Sequence, residues 1–447
     1  MDQTESIMKQ VTQVLQHHTP QLQRDDLEDF VEGFLSSEEV LIDLTKQYGS
    51  PLYVFESKVF TERAEQLQSA FRGVLPDIRV YYAVKSNNHP DVVQTAVHSG
   101  LGLDVSSGNE LELAIAVGSE RNLFSGPGKT DEELALAVKY RSKVTVLIDS
   151  FGELERLNRM ATLAGATIRA GIRLTSQEHG LWRKFGIPMS ELKKFLLRSR
   201  SLPNIMINGV QFHTSWNLNP ERQTSFIARL SEYLQKLDDR FRSDIDFLDI
   251  GGGFWPPQGE WLQEAGTSEG RIKSAVTQDA IPSNSDHYRL PAVPIEEFAA
   301  QISEAVRKHI LPHVDCRIYT EPGRWLCNDS MHMLLTVVDK KDDDLVITDG
   351  GTNAIGWERF EVDYFPVINL SRPSLDEHDC MVYGSLCTPH DVWGYSYFGD
   401  GIERGDILLV PTQGAYTYSL RQRFIKPLPK FVKIKSRTVP NHSSSDD

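Results

Sequence analysis

The chain has 447 residues, 40% of them hydrophobic, and a formal net charge of −15. That length predicts two domains, or one barrel with an appendage, and the acidic balance argues against nucleic acid or anionic membranes as partners. The N-terminus has no apolar signal core and no run is long enough to span a bilayer. The cysteines Cys316, Cys327, Cys380 and Cys387 form no CxxC pair, so a reduced, cytoplasmic setting is expected.

Residues 1–50 read as an N-terminal helical segment and the start of a β domain. Strand-like runs then follow at 79–85, 102–107, 122–126, 143–149, 167–174, 207–214, 246–251 and 316–321, with helical patterns between most of them. Eight strand–helix alternations predict an α/β fold, a parallel (β/α)8 barrel over 51–324, rather than an open doubly wound sheet. The stretch 255–291 has no clear period and is expected to be a lid or a disordered insertion. Beyond 324, short β-like runs at 333–338, 345–348, 380–383, 407–411 and 431–434 predict a C-terminal, mostly β domain over 325–440, and 441–447 a disordered tail.

Chemistry gathers where barrel strands end. The first run, Arg79-Val80-Tyr81-Tyr82-Ala83-Val84-Lys85, ends on a lysine; a partly desolvated amine has a lowered pKa and attacks carbonyls. Other run ends carry Asp104, His213, Gly251-Gly252-Gly253 and Glu321-Pro322-Gly323-Arg324. The three glycines let backbone amides approach a phosphate. Proline at 256 breaks the dinucleotide pattern, and leucine at 123 breaks a P-loop reading of Phe124-Ser125-Gly126-Pro127-Gly128-Lys129-Thr130. A carboxylate such as Glu321 could keep a pyridine nitrogen protonated. Tyr383-Gly384-Ser385-Leu386-Cys387-Thr388-Pro389-His390-Asp391 sets a thiol near a His-Asp pair, and Gly414-Ala415-Tyr416-Thr417 offers a phenol.

Together these segments, in order over about residues 50–430, resemble the pyridoxal-phosphate-dependent decarboxylases of the alanine-racemase-like fold, the group containing ornithine/arginine and diaminopimelate decarboxylases. The resemblance implies that Lys85 bonds the cofactor, pyridoxal 5'-phosphate. It implies Asp104 and Glu110 as cofactor-supporting residues, His213 stacked on the ring, and Gly251, Gly252, Gly253, Arg324 and Tyr416 on the phosphate. Glu321 would partner the pyridine nitrogen, and Cys387 would enter from a second subunit to protonate the substrate carbanion. A head-to-tail homodimer with shared active sites and a small amino-acid substrate follow from the same resemblance, with no metal required.

The chain departs from that pattern in places that bear on substrate. After the sixth strand the family carries His-x-Gly-Ser, whereas here the residues are His213-Thr214-Ser215-Trp216, which removes a small hydroxyl and adds bulk. Diamine-type members carry an acid just after the cysteine, where this chain has Thr388; a second acid, which ornithine-type members place in the segment around Tyr364-Phe365-Pro366, is missing at that place. The candidate substrate contacts are Arg173, Arg359, Thr388, His390 and Asp391. This pattern argues against a simple ornithine, lysine or diaminopimelate substrate and leads to the expectation of a specialised decarboxylase, for example in siderophore or antibiotic assembly, acting on a conjugated amino acid. An ornithine-, lysine- or diaminopimelate-type decarboxylase, an amino-acid racemase and a non-catalytic binding relative are the alternatives.

Overall fold

The computed structural model of the chain describes residues 3–16, 18–277, 286–356 and 362–437. The tail 441–447 and Arg359 lie outside the described residues. The chain divides into two units. One comprises Phe60–Pro257 and Ala292–Cys327; the other comprises the residues up to Val59, Gln258–Pro291 and those from Asn328 on.

In the first unit eight parallel strands close into a barrel: β1 (Arg79–Ala83), β2 (Gly102–Val105), β3 (Asn122–Phe124), β4 (Val144–Ile148), β5 (Ile168–Leu174), β6 (Ile205–Phe212), β7 (Phe247–Asp249) and β8 (Arg317–Thr320). Every predicted run is a strand. Such strands are apolar nearly throughout because parallel sheets are covered on both faces. Helix starts are set by side-chain oxygens: Ser107, Thr130 and Ser150 accept from the N–H of Glu110, Glu133 and Glu153, and Thr130 and Glu133 form a capping box. Tyr81, Leu123, Leu147, Phe247 and Tyr319 form one cluster inside the barrel, with Phe247 and Tyr319 stacked at 4.5 Å. Gly209 makes room for them, since a Cβ there would lie 2.2 Å from the Phe247 ring.

The first run is shorter than predicted. β1 stops at Ala83 because Ser86 Oγ turns back to the Ala83 carbonyl at 2.7 Å, folding Val84–Ser86 into a 3-10 turn that carries Lys85. Two of the helical stretches between the strands are broken: a 3-10 turn precedes Leu192–Ser199, and Glu221–Leu234 ends before a separate turn at Asp239–Arg242.

The second unit is built on an eight-stranded sheet. Its order is Leu345–Thr348, Glu377–Tyr383, Val392–Phe398, Ile368–Asn369, Ile407–Val410, Met331–Asp342, Leu52–Glu56 and Lys430–Ile434. Leu345–Thr348 also pairs with Met331–Asp342, so six strands close on themselves. The expected barrel start at 51 is therefore corrected: Leu52–Glu56 runs antiparallel to Met331–Asp342 and parallel to Lys430–Ile434. Its Glu56 carboxylate accepts from buried His332 Nε2 at 2.8 Å and from the Arg437 backbone N–H at 2.7 Å. Burial opposes ionisation of Glu56, but His332 and Arg437 win and hold it at about 2.

The expected lid or disordered insertion at 255–291 is corrected over its described residues, 278–285 lying outside them. From Gln258 it belongs to this second unit, where Glu260–Leu262 pairs with Tyr288–Leu290 and Ser268–Thr277 is helical. Trp261 joins the unit's core beside Leu27, Val31, Phe34 and Leu334, and His287 stacks on Tyr364 at 3.6 Å. The N-terminal helices Gln3–Gln16, Arg24–Leu35 and Glu38–Tyr48 belong to the same unit. Among the described residues no helix is long and apolar enough to cross a membrane.

Candidate active site

The C-terminal strand ends of the barrel bring the predicted residues onto one rim. Lys85 Nζ donates to Asp104 Oδ2 at 2.9 Å; Asp104 is fully buried and its Oδ1 accepts from Ser125 Oγ at 2.5 Å. The lysine side chain keeps 36% exposure, so its amine is anchored yet reachable. Glu110 sits beside this pair and accepts from the Ser106 N–H at 2.7 Å; burial raises its pKa, with Ser106 and Lys85 opposing.

Glu321 and Asp249 are buried together below the rim. Among the described residues neither Glu321 Oε1 nor Asp249 Oδ2 meets an N–H or O–H donor, and the two carboxyls influence each other's ionisation. Burial is the largest cause pushing both upward, and Asp104 adds to it, so protonation of the pair is favoured. Asp249 Oδ1 is fixed by the Gly251 N–H at 2.9 Å. His213 Nδ1 accepts from the Gly252 N–H at 3.3 Å, and burial, Lys85 and Arg173 all depress its pKa. Its 3.9 Å approach to Glu321 is therefore a contact of a neutral ring, not an ion pair. Gly251 and Gly253 take φ of +66° and +80°, and a Cβ at Gly252 would lie 2.1 Å from the Glu321 carbonyl. The glycine run thus gives close backbone approach where side chains have no room. Arg324 opens the short helix Arg324–Cys327 after β8.

Lys129, at the end of the broken P-loop pattern, is fully buried. Its ammonium donates to the Gly126 and Leu147 carbonyls at 2.6 and 2.9 Å and to Glu153 at 2.8 Å. It braces the loop after β3, which explains the motif without a phosphate. Arg173, a candidate substrate contact, lies on β5 with only 8% exposure; it donates to the Ser125 carbonyl at 2.9 Å and stacks 4.6 Å over Phe185. These contacts make it part of the barrel framework.

The remaining candidates lie in the second unit. Cys387 is exposed at a loop tip, Thr388 is half-buried and His390 exposed. Tyr416 takes φ +58° in its own loop. Asp391 is corrected from a substrate contact to a clamp. It is 1% exposed; Oδ1 accepts from the Thr352 N–H at 2.7 Å and the Thr352 hydroxyl at 2.9 Å, and Oδ2 from the Leu386 N–H at 2.6 Å. The Asp391→Ala variant strands three buried donors, at about 1–3 kcal/mol each when uncompensated. It is expected to lose about 2–4 kcal/mol in urea unfolding and to expose Cys387 to faster alkylation; unchanged values for both would contradict the clamp.

Asp249, Ser125 and Thr352 were not singled out from sequence. For Asp249 the signal was an acid directly before the glycine run, overshadowed by the glycines. Ser125 and Thr352 carried none, being ordinary hydroxyl residues placed by tertiary contacts.

A reachable lysine on a buried aspartate, a neutral histidine and a buried carboxyl pair define a barrel that takes an aromatic aldehyde cofactor at its strand ends. Residues 60–328 match the family model of the pyridoxal-dependent decarboxylases, pyridoxal-binding domain. A diaminopimelate decarboxylase of Aquifex aeolicus is 28% identical over 96% of this chain and 95% of its own length. An L-glutamyl-[BtrI acyl-carrier protein] decarboxylase of Niallia circulans is 26% identical over 88% and 90%. The fold matches the crystal structure of diaminopimelate decarboxylase from M. jannaschii in co-complex with L-lysine, at a TM-score of 0.72 and 22% identity over 88% and 89% of the two chains. The chain belongs to the ornithine/diaminopimelate family of pyridoxal-phosphate-dependent amino-acid decarboxylases. The residues present fit that cofactor: Lys85 is accessible for its aldehyde, and the orphaned Glu321 Oε1 is a buried acceptor suited to a ring N–H.

Proposed function

We propose that the chain decarboxylates an amino acid whose far end carries a carboxylate rather than a bare ammonium. One observation carries this reading. Within the loop 383–391 the only acid is Asp391, and it is turned inward and saturated by Thr352 and Leu386. The loop therefore offers no carboxylate to a distal ammonium. Diaminopimelate, whose far end carries a carboxylate as well as an ammonium, is the first candidate, because the relatives bearing its name support it over the siderophore-type conjugate expected from sequence. A conjugated substrate is the second reading, supported by the relative named for an acyl-carrier-bound glutamyl group.

When bound, pyridoxal phosphate supplies an electron sink for the pair released as the Cα–carboxylate bond breaks. Lys85 would hold the cofactor, with Asp104 keeping its amine in place. Asp104 itself is fixed by Ser125. Glu321, coupled to Asp249, would hold the ring N–H. His213 would lie against the ring as a neutral imidazole, and the Gly251–Gly253 amides and Arg324 would meet the phosphate. Cys387, exposed on its clamped loop, would return a proton to Cα in the barrel of a second copy of the chain.

The test is a CO2-release panel of diaminopimelate, lysine, ornithine, arginine and a dicarboxylate amide of diaminopropionate. Lysine and ornithine are expected to fall at least about a hundredfold below the best substrate with a distal carboxylate in kcat/KM. Preference for lysine or ornithine would overturn the reading.

A further inference from the structure

We propose that Trp255 is a positioning residue that holds the Arg324 guanidinium in the orientation needed for the cofactor phosphate, with Trp216 packed beside it. The inference rests on the reading of Arg324 as a phosphate ligand. It begins in the backbone. The loops after β6 and β7 are joined: the Asn217 N–H donates to the Gly253 carbonyl at 3.0 Å, and the Trp255 N–H to the Asn217 carbonyl at 3.1 Å. Asn217 Nδ2 also reaches Thr214 Oγ1 at 3.0 Å and the Gly252 carbonyl at 3.2 Å. A Cβ at Gly253 would lie 2.3 Å from the Thr214 carbonyl, so the two loops touch backbone to backbone.

This pairing fixes the two tryptophans. Trp216 stands where the family resemblance implies a small hydroxyl residue. It is held at φ +56°, a conformation that a bulky residue keeps only where its surroundings impose it. Its ring centroid is 5.8 Å from that of Trp255. Arg324 Cζ lies 4.4 Å from the Trp255 centroid, within cation–π range. An arginine on a long stem loses rotamer freedom when it binds an anion, and a stacked, planar guanidinium has already given up part of it. Trp255 thus supplies orientation at the end of the site where the usual hydroxyl is missing.

The experiment titrates the cofactor-stripped full-length chain with pyridoxal phosphate and with pyridoxal, following visible absorbance. Trp255→Leu is expected to weaken pyridoxal phosphate roughly three- to thirtyfold, leaving pyridoxal affinity and the melting temperature of the stripped chain unchanged. Trp255→Phe should restore most of the loss. If Trp255→Leu binds both compounds like the unaltered chain, or weakens both in parallel, the positioning role is overturned. Arg324→Gln separates the underlying reading from the inference. It must erase the preference for the phosphorylated compound, and its failure to do so would remove Arg324 from the phosphate site and the proposal with it.

Discussion

Replacing Lys85 by arginine is expected to lower CO2 release by at least about three orders of magnitude and to remove the visible absorption of lysine-bound pyridoxal phosphate. Arginine is the informative choice because Asp104 is fully buried and 2.9 Å from Lys85 Nζ. Alanine would strand that carboxylate, and an uncompensated buried charge costs about 3–5 kcal/mol. Arginine keeps the positive charge but cannot bond an aldehyde as an amine does. Lys85→Arg should therefore fold and melt near the unaltered chain while losing both signals; retention of either would exclude Lys85 from the chemistry. The same variant tests the second copy. Mixed with Cys387→Ala chains, Lys85→Arg chains should regain activity in dimers carrying one intact site, whereas no regain would refute shared sites.

The second large effect is expected at Glu321. Glu321→Gln keeps the side-chain volume but can neither ionise in step with Asp249 nor hold a ring N–H as a carboxylate does. Preorganised electrostatic groups of this kind are worth about 10²–10³ in kcat, and a fall of that size is expected. KM and cofactor retention should move far less, since Lys85 and the glycine run remain. An unchanged kcat would show that the buried pair does not support the reaction. Loss of cofactor instead would assign Glu321 to binding alone.

Much of the barrel was legible because each parallel strand is a short apolar run, ended by polar residues that the fold gathers on one rim. Lys85, Asp104, His213 and Glu321 were chosen as candidates that way. The misplacements have a common cause, which is that local pattern does not encode distant pairing. Leu52–Glu56 has the look of a first barrel strand, and only its pairing with Met331–Asp342 and Lys430–Ile434 assigns it elsewhere. The excursion from Gln258 was aperiodic because its order comes from contacts such as His287 on Tyr364. Asp391 was misjudged from its neighbours in sequence, Cys387 and His390, when its partner is Thr352, thirty-nine positions away. Asp249 escaped because a buried carboxyl pair is visible only once β7 and β8 lie side by side.

The central claim, that Lys85 carries the cofactor, is tested most directly by reducing the pyridoxal-phosphate-loaded chain with borohydride and mapping the modified peptide by mass. A single phosphopyridoxyl group on Lys85, absent from Lys85→Arg, is the expected result. The same group on buried Lys129 or another lysine, or on none, would contradict it.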